Sequence, residues 1–208
     1  MSNYKNSCLA RFITSYFYWL LVILIVLIAI YLRFYKLAQV PAGMTWDEAA
    51  IGYNGFAVVT AHRDEWLNFM PISFQSFGDY KAPLVIYLSG LFTHFLGLNL
   101  MGVRLPFALA GVATVGGMFC LYNQLAKLTG VSAKEYRLYS LLLGLFMALS
   151  PWHVHYSRVG FESGIALMFL ISGLGFTFRL LNILKRKERF SISGYFMGLV
   201  SIVLLSSS

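Results

Sequence analysis

Five long apolar stretches without Asp, Glu, Lys or Arg constrain the fold more than any other feature of this sequence. A sixth stretch without these residues, 82–103, is interrupted by Gly97 and Asn99. An α-helix rises about 1.5 Å per residue, so about 20 apolar residues cross a hydrocarbon layer of about 30 Å. The stretches are continuously apolar and do not alternate as the strands of a transmembrane β-barrel do. They therefore predict an all-α polytopic membrane protein. They cover residues 12–32, 105–126, 138–157, 163–178 and 190–208.

The composition supports this class and excludes others. Hydrophobic residues make up 59% of the 208 residues and charged residues 12%, against about 45–50% and about 25% in a globular domain. In a membrane protein, Lys and Arg concentrate in the cytoplasmic loops, which accounts for the formal net charge of +8. We therefore expect no nucleic-acid partner. Cys8 and Cys120 lie far apart and form neither a disulfide framework nor a metal-binding signature.

The segment 83–98 leaves two topologies open, because its apolar stretch is only about 24 Å long as a helix. If it does not cross the membrane, 10 Lys and Arg lie on the cytoplasmic side and 6 on the outer side. If it crosses, every later segment inverts and the numbers become 4 and 12. The excess of basic residues in cytoplasmic loops favours the first arrangement, with a cytoplasmic N-terminus and this segment in the outer interface.

The predicted organisation is a single transmembrane domain over residues 1–208, integral to the plasma (inner) membrane if the source is bacterial. An external loop, residues 33–103, is expected to carry juxtamembrane helices at about 47–60 and 83–98. The last apolar run begins a fifth span without an exit anchor, so we expect a truncated domain with a longer parent. The predicted spans are residues 13–32, 104–126, 138–152, 163–184 and 190–208.

Six of the eight carboxylates fall on the outer side in this topology, which makes that side the candidate for chemistry. Thr45 and Glu48 have the spacing of a capping box, which favours a structural role for Glu48 over a catalytic one. Asp47, beside Trp46, is the better candidate. A carboxylate at a membrane surface can have a raised pKa and accept a proton from a hydroxyl group.

Asp79 and Lys81 form a second candidate site just before Pro83, a residue that suits the first turn of a helix. They are either an interfacial anchor, in which the Lys81 ammonium reaches water, or part of a binding site. The sequence favours neither interpretation.

A third group lies between the third and fourth predicted spans. His153 and His155 are weak candidates for metal ligands, because an i, i+2 pair shares a face of a strand and not of a helix. Arg158 and Glu162 are four residues apart and share a face if the segment is helical. Arg104 and Arg158 beside carboxylates are suited to binding a phosphate.

Four motifs follow one another in a recognisable order. They are Trp46-Asp47-Glu48, Gly78-Asp79-Tyr80-Lys81-Ala82-Pro83-Leu84, Val103-Arg104-Leu105-Pro106, and Ser150-Pro151-Trp152-His153 continuing through Arg158 and Glu162. With the predicted topology, this order resembles the N-terminal half of GT-C glycosyltransferases, in the superfamily of protein O-mannosyltransferases and lipid A aminoarabinose transferases (glycosyltransferase family 39). The likeness covers about residues 15–185.

The resemblance implies an inverting transferase in membrane lipids that uses a polyprenyl-phosphate-linked sugar on the non-cytoplasmic face. The acceptor would be a hydroxyl of a protein, lipid or glycan. Asp47 matches the expected general base, Glu48 completes the acidic pair, and Glu162 matches the second acidic position. Relatives differ in their use of a divalent metal ion, so the cofactor stays open. The residues expected to bind the donor are Asp79, Lys81, Arg104 and Arg158.

Members of that superfamily have eight or more spans, whereas this sequence ends in the fifth, so we expect these 208 residues alone to be inactive or very weak. One rival hypothesis is a transporter or flippase of lipid-linked sugars. Transporters place ionisable residues and helix breaks at mid-membrane, whereas the carboxylates here gather at one surface. The other rival is a non-catalytic membrane scaffold in which the acids cap helices.

Overall fold

A computed structural model describes residues 2–76 and 78–185, with side chains from residue 15 onward. This part of the chain is a bundle of helices with one short antiparallel hairpin, so the predicted all-α membrane bundle is confirmed. Within the hairpin, Phe74 pairs with Lys81 and Ser76 with Asp79. The elements are α1 (Ser2–Phe34), α2 (Trp46–Ala61), β1 (Phe74–Ser76), β2 (Asp79–Lys81), α3 (Pro83–Leu96), α4 (Leu100–Thr129), α5 (Ala133–Leu149), α6 (Pro151–Tyr156) and α7 (Glu162–Lys185).

Three helical segments in the described residues are long and apolar enough to cross a membrane. They are residues 15–34 of α1, the whole of α4 and the whole of α7. These segments overlap the first, second and fourth predicted spans. The predicted fifth span, residues 190–208, lies outside the described residues.

The predicted third span, residues 138–152, is divided between two helices. α5 ends at Leu149, and Pro151 begins the short helix α6. Proline has no backbone N–H to continue a helical ladder but is well suited to a first turn, which explains the break at this point. The break turns α6 and the loop after it, residues 157–161, toward the start of α7.

Helix α4 forms the centre of the bundle and packs against α1, α3, α5 and α7. Two clusters of buried side chains lie on its two sides, and each derives its stability from the apolar surface removed from solvent. The cluster toward α1 and α5 comprises Tyr18, Val22, Ile25, Ala29, Val115, Phe119 and Ala148. The cluster toward α2, α3 and α7 includes Ile51, Val58, Val85, Ile86, Phe107 and Ile165.

Two glycines allow α2 and α3 to cross at backbone contact. A Cβ built on Gly55 would lie 2.7 Å from the backbone nitrogen of Gly90 and from the carbonyl oxygen of Ile86. No side chain fits in that space, so the crossing depends on glycine at both positions. This contact fixes the direction in which α2 presents its first turn.

The face of α1 that points away from the bundle is apolar and aromatic. Trp19, Ile23 and Leu27 each expose more than half of their surface. Such a face is unfavourable in water and stable in lipid, and together with the three long apolar helices it indicates a membrane protein.

Candidate functional site

Glu48 is completely buried in the first turn of α2 and accepts four hydrogen bonds. Arg104 of α4 donates from Nε to Oε1 over 2.7 Å and from Nη2 to Oε2 over 3.1 Å. The backbone N–H groups of Thr45 and Gly160 donate to the same carboxylate over 3.0 Å each. The Thr45 hydroxyl in turn accepts from the Glu48 N–H, so the capping box indicated by the sequence is present.

This environment keeps Glu48 ionised. Burial raises the pKa of Glu48, but the hydrogen bonds from Arg104, Thr45 and Gly160 outweigh burial and hold the pKa below its ordinary value. A buried, ionised carboxylate with four donors is a poor acceptor for a further proton. The geometry thus assigns Glu48 to joining α2, α4 and the loop at residues 157–161, which differs from the catalytic role that the resemblance implied.

Arg104 is also completely buried, and all five of its N–H groups have acceptors. Besides the two bonds to Glu48, its Nη1 and Nη2 donate to the carbonyl oxygens of Leu37, Pro41 and Gly43 over 2.7 to 3.1 Å. In this arrangement every N–H of the Arg104 guanidinium donates to a protein oxygen, and the donor-binding role expected for Arg104 stays a prediction. These hydrogen bonds join Arg104 to the segment that follows α1.

Arg158 contacts the same segment from the loop at residues 157–161. Its side chain donates to the carbonyl oxygens of Leu32, Tyr35 and Val40, with the shortest distances 2.6, 2.7 and 2.8 Å. Arg158 is 8% exposed, and the donor-binding role expected for it stays a prediction. Together Arg104 and Arg158 bind six carbonyl oxygens between residues 32 and 43.

Asp47 differs from its neighbour Glu48, because it is partly open to solvent and paired with a lysine. Its side chain is 35% exposed, and its Oδ1 lies 2.6 Å from the Nζ of Lys81. The same Nζ lies 3.2 Å from Oδ2 of Asp79, whose side chain is 72% exposed. Burial lowers the pKa of Lys81, but the hydrogen bonds to Asp47 and Asp79 outweigh burial and raise it. Lys81 is therefore a cation held between two carboxylates.

Glu162 reaches the same place from the start of α7. Its Oε1 accepts a hydrogen bond of 2.7 Å from the backbone N–H of Ala82, the residue directly after Lys81. A cavity of about 320 Å³ lies beside this contact and is lined by Ala82, Glu162 and Ser163. The structure thus brings Asp47, Asp79, Lys81 and Glu162 together around the end of β2.

His153 and His155 are separated and do not form a metal-binding pair. α6 is helical, so residues two apart point to different sides. His153 is 7% exposed, and its Nδ1 lies 2.6 Å from Nη2 of Arg33. His155 is exposed and packs its ring against Tyr156. Among the side chains described, those of residues 15–185 apart from residue 77, no three of His, Cys, Asp or Glu are placed to hold a metal ion.

The contact between Arg33 and His153 was not predicted from the sequence. Arg33 ends the first apolar run, where a basic residue usually extends its charge to the membrane interface. Instead it is completely buried, and its guanidinium also donates to the carbonyl oxygens of Ala29, Met147 and Ala148. Burial and then the charge of Arg33 lower the pKa of His153 to about 4, so this imidazole is neutral at physiological pH.

Among curated proteins, the chain is similar to one named "Putative mannosyltransferase YycA" from Bacillus subtilis (strain 168), with 30% identity over 154 residues. The alignment covers 73% of this chain and 20% of that protein, so the chain spans about a fifth of its relative's length. No protein-family model matches the chain, and no solved structure matches it.

Proposed function

We propose that this chain belongs to a membrane glycosyltransferase of the GT-C type that moves a sugar from a polyprenyl-phosphate donor to an acceptor hydroxyl on the non-cytoplasmic face. The main support is the meeting of Asp47, Lys81 and Glu162 at one end of the bundle, from α2, β2 and α7. The similarity to a protein named as a mannosyltransferase supports the same class of reaction and makes mannose the first sugar to test.

Asp47 is the general base in this proposal. Its carboxylate takes the proton of the acceptor hydroxyl, and the hydroxyl oxygen then attacks the anomeric carbon of the donor sugar. The bond between that carbon and the phosphate oxygen breaks, and the lipid phosphate leaves with the electron pair. Attack from the side opposite the leaving group inverts the anomeric centre.

Lys81 stabilises the phosphate that leaves. Its ammonium lies 2.6 Å from Asp47 and 3.2 Å from Asp79, so without substrate its charge is balanced by both carboxylates. A donor phosphate beside Lys81 would replace one of these ion pairs and release the Asp47 carboxylate for the acceptor hydroxyl. A fixed cation at the leaving oxygen contributes most when it is already in position before reaction.

The remaining residues of the site have positioning roles. Glu162 anchors the backbone directly after Lys81 through the N–H of Ala82. Glu48 and Arg104 hold the first turn of α2, and thus Asp47, against α4. Arg158 binds the last turn of α1 and the segment between α1 and α2. This assignment retains all of the acidic and basic residues singled out from the sequence and divides them between chemistry and support.

Substitution of Asp47 by Asn in the full gene product, expressed in membranes, tests the proposal. Transfer of labelled mannose from polyprenyl-phosphate mannose should fall by about 10²-fold or more, because a general base contributes about 10²–10⁴ to the rate. The matched control is Glu135→Gln, which removes an exposed carboxylate in the first turn of α5. A D47N variant that inserts normally and keeps its transfer rate would contradict the proposal and favour a transporter or a scaffold.

A further inference from the structure

The segment between α2 and β1, residues 62–73, exposes a group of apolar side chains that the proposed site does not use. Four of these side chains expose more than half of their surface, and Ile72 exposes 88%. Single exposed apolar residues are ordinary on protein surfaces, but four within seven residues form a patch that is unfavourable in water. We call these four side chains the loop patch: Trp66, Leu67, Phe69 and Ile72.

Several backbone groups beneath the loop patch are hydrogen-bonded within the protein. The Asp64 carboxylate is buried, and its Oδ1 accepts from the N–H groups of Trp66 and Asn68 over 3.0 and 2.8 Å. The N–H of Leu67 donates to the carbonyl oxygen of Asp64, and the N–H of Asp64 donates to that of Asn68. Backbone groups bonded in this way do not need water, which is what a segment that enters lipid requires.

The charged residues directly before the loop patch are also bonded within the protein. The Arg63 guanidinium donates to the carbonyl oxygen of Leu67 over 2.7 Å. Oε1 of Glu65 accepts from the side-chain amide of Asn54 over 3.1 Å, and the Asp64 carboxylate bonds the turn itself. Lipid tails offer no donors or acceptors, whereas a protein interface supplies both at its rim. A patch whose neighbouring charged groups are already bonded therefore fits lipid better than it fits another protein.

Helix α3 carries an exposed apolar stripe next to the loop patch. Residues seven and eleven positions apart share a face of a helix, and in α3 three residues at these spacings are apolar and exposed. They are Leu84, Leu91 and Phe95. Tyr87 is three residues from Leu84 and four from Leu91, so it borders this stripe. The Tyr87 hydroxyl donates to the carbonyl oxygen of Pro71 over 3.1 Å, which holds the loop against α3 directly before Ile72.

The loop patch and α3 lie where two membrane-spanning helices begin. The N–H of Ala82, directly before α3, donates to Glu162, the first residue of α7. α3 ends at Leu96, and α4 begins at Leu100. Both α4 and α7 are long and apolar enough to cross a membrane. Tryptophan and tyrosine side chains at such a level are typical of the boundary between a membrane and water.

We propose that the loop patch inserts into the lipid leaflet around this end of the bundle and anchors the hairpin of β1 and β2 to the membrane. The indole N–H of Trp66 donates to the carbonyl oxygen of Gln75 in β1 over 3.0 Å, so the patch and the hairpin are joined directly. β2 carries Lys81, and the anchor sets the depth of its ammonium relative to the lipid headgroups. The inference depends on the membrane location of the chain and not on the reaction at the site.

Spin labelling of the full gene product in liposomes tests this inference. A nitroxide at Phe69→Cys, after the native cysteines are replaced by Ser, should collide often with oxygen, which concentrates in lipid, and rarely with a water-soluble nickel chelate. The ratio of the two collision rates should match that at Leu27→Cys, on the exposed face of α1. It should exceed severalfold the ratio at Lys134→Cys, exposed in the first turn of α5.

Two results of this measurement would overturn the inference. Frequent collisions with the nickel chelate would place the loop patch in water. Rare collisions with both reagents would place it against protein, which is the result expected if a second copy or another domain covers the patch.

Charged variants separate the apolar character of the loop patch from a general effect on folding. Leu67→Asp combined with Ile72→Asp should raise the nickel collision rate at Phe69→Cys severalfold, because a charge in hydrocarbon is unfavourable. Both side chains are exposed, so the change removes little packing. The matched control, Leu67→Met combined with Ile72→Leu, keeps the apolar surface and should leave the rate unchanged. An unchanged rate in the charged variant would overturn the inference.

The collision rates need no sugar donor or acceptor, so they are independent of transfer. D47N should leave them unchanged. If the label at Phe69→Cys lies in lipid and D47N still transfers sugar, the anchor stands and the assignment of the base falls. If the label lies in water and D47N loses transfer, the proposed function stands and the anchor falls.

Discussion

Asp47 and Glu48 are adjacent carboxylates in opposite environments. Glu48 is enclosed by Arg104 and two backbone N–H groups, whereas Asp47 is partly exposed beside Lys81. The spacing of Thr45 and Glu48 predicts the capping box, because that contact is local in sequence. The bond to Arg104 spans 56 residues, and no local pattern indicates it. Sequence therefore predicts the local cap at Glu48 but misses what Glu48 holds together, and the catalytic roles expected for the two acids stay predictions.

Substitution of Glu48 by Gln should destabilise the protein strongly. It leaves the Arg104 guanidinium buried without a counter-charge, and breaking a buried pair costs about 3–5 kcal/mol. Thermal unfolding in detergent would measure the loss. Glu135→Gln changes the same position of the other capping box, which is exposed and has no arginine, and should cost about 1 kcal/mol or less. Equal losses in the two variants would mean that the ion pair is not the cause.

The pH dependence of unfolding should reveal His153. Its pKa in the folded state is about 4, against an ordinary value of about 6.5, so the unfolded chain binds more protons between these values. Above pH 6.5 the imidazole is neutral in both the folded and the unfolded chain. As the pH falls from about 6.5 to 4, the unfolded chain takes up a proton that the folded chain does not, so the free energy of unfolding decreases by at most about 3 kcal/mol. Denaturant titrations at several pH values would measure this slope. H153N should flatten the slope in that range, and a slope unchanged in H153N would assign it to other groups.

At the scale of elements, the apolar runs and the positions of the prolines predict much of the helical structure. The two juxtamembrane helices were expected at about 47–60 and 83–98, and the corresponding helices are Trp46–Ala61 and Pro83–Leu96. Both have local signals, a capping box in one and Pro83 at the first turn of the other. Local sequence signals do not indicate which helices pack against each other. The hairpin that carries Lys81 was not predicted, because three-residue strands carry too little periodicity to detect.

Substitution of Gly90 by Ala tests the crossing of α2 and α3. The new Cβ would overlap the carbonyl oxygen of Gly55 and meet the side chain of Val59, so the helices must separate at a cost of about 1–3 kcal/mol. Gly116→Ala in α4 is the control, since nothing lies within 4 Å of its new Cβ. Alanine favours a helix over glycine by about 1 kcal/mol, so G116A should be neutral or stabilising. Thermal unfolding of both variants measures the difference, and a G90A protein as stable as G116A would contradict the close crossing.

At the scale of the whole molecule, residues that are distant in sequence meet at one end of the bundle. Asp47 and Glu162 contact Lys81 and Ala82, which are adjacent in the chain. The distribution of Lys and Arg predicts the same sidedness for these acids, because it places residues 83–98 in the outer interface without crossing the membrane. The charge pattern cannot predict the contacts themselves, which depend on how α7 and the hairpin pack around α4.

Sidedness can be measured with single cysteines after Cys8 and Cys120 are replaced by Ser. Tyr80→Cys and Ser163→Cys are at exposed positions near the site, and both should react with a membrane-impermeant maleimide from the outer face. Lys134→Cys, exposed in the first turn of α5, should react only after the membrane is opened. Labelling of the first two from opposite faces would break the proposed site.

The six carbonyl oxygens bound by Arg104 and Arg158 have a consequence for biosynthesis. Residues 32–43 leave the ribosome long before either arginine is translated, so this stretch has none of its side-chain donors when it first emerges. Arg104 can donate to three of the six carbonyl oxygens once α4 has been synthesised. The other three have no arginine donor until Arg158 has been synthesised. The hydrogen bonds around Asp47 can therefore all form only late in synthesis, after the hairpin and α3 have already been synthesised.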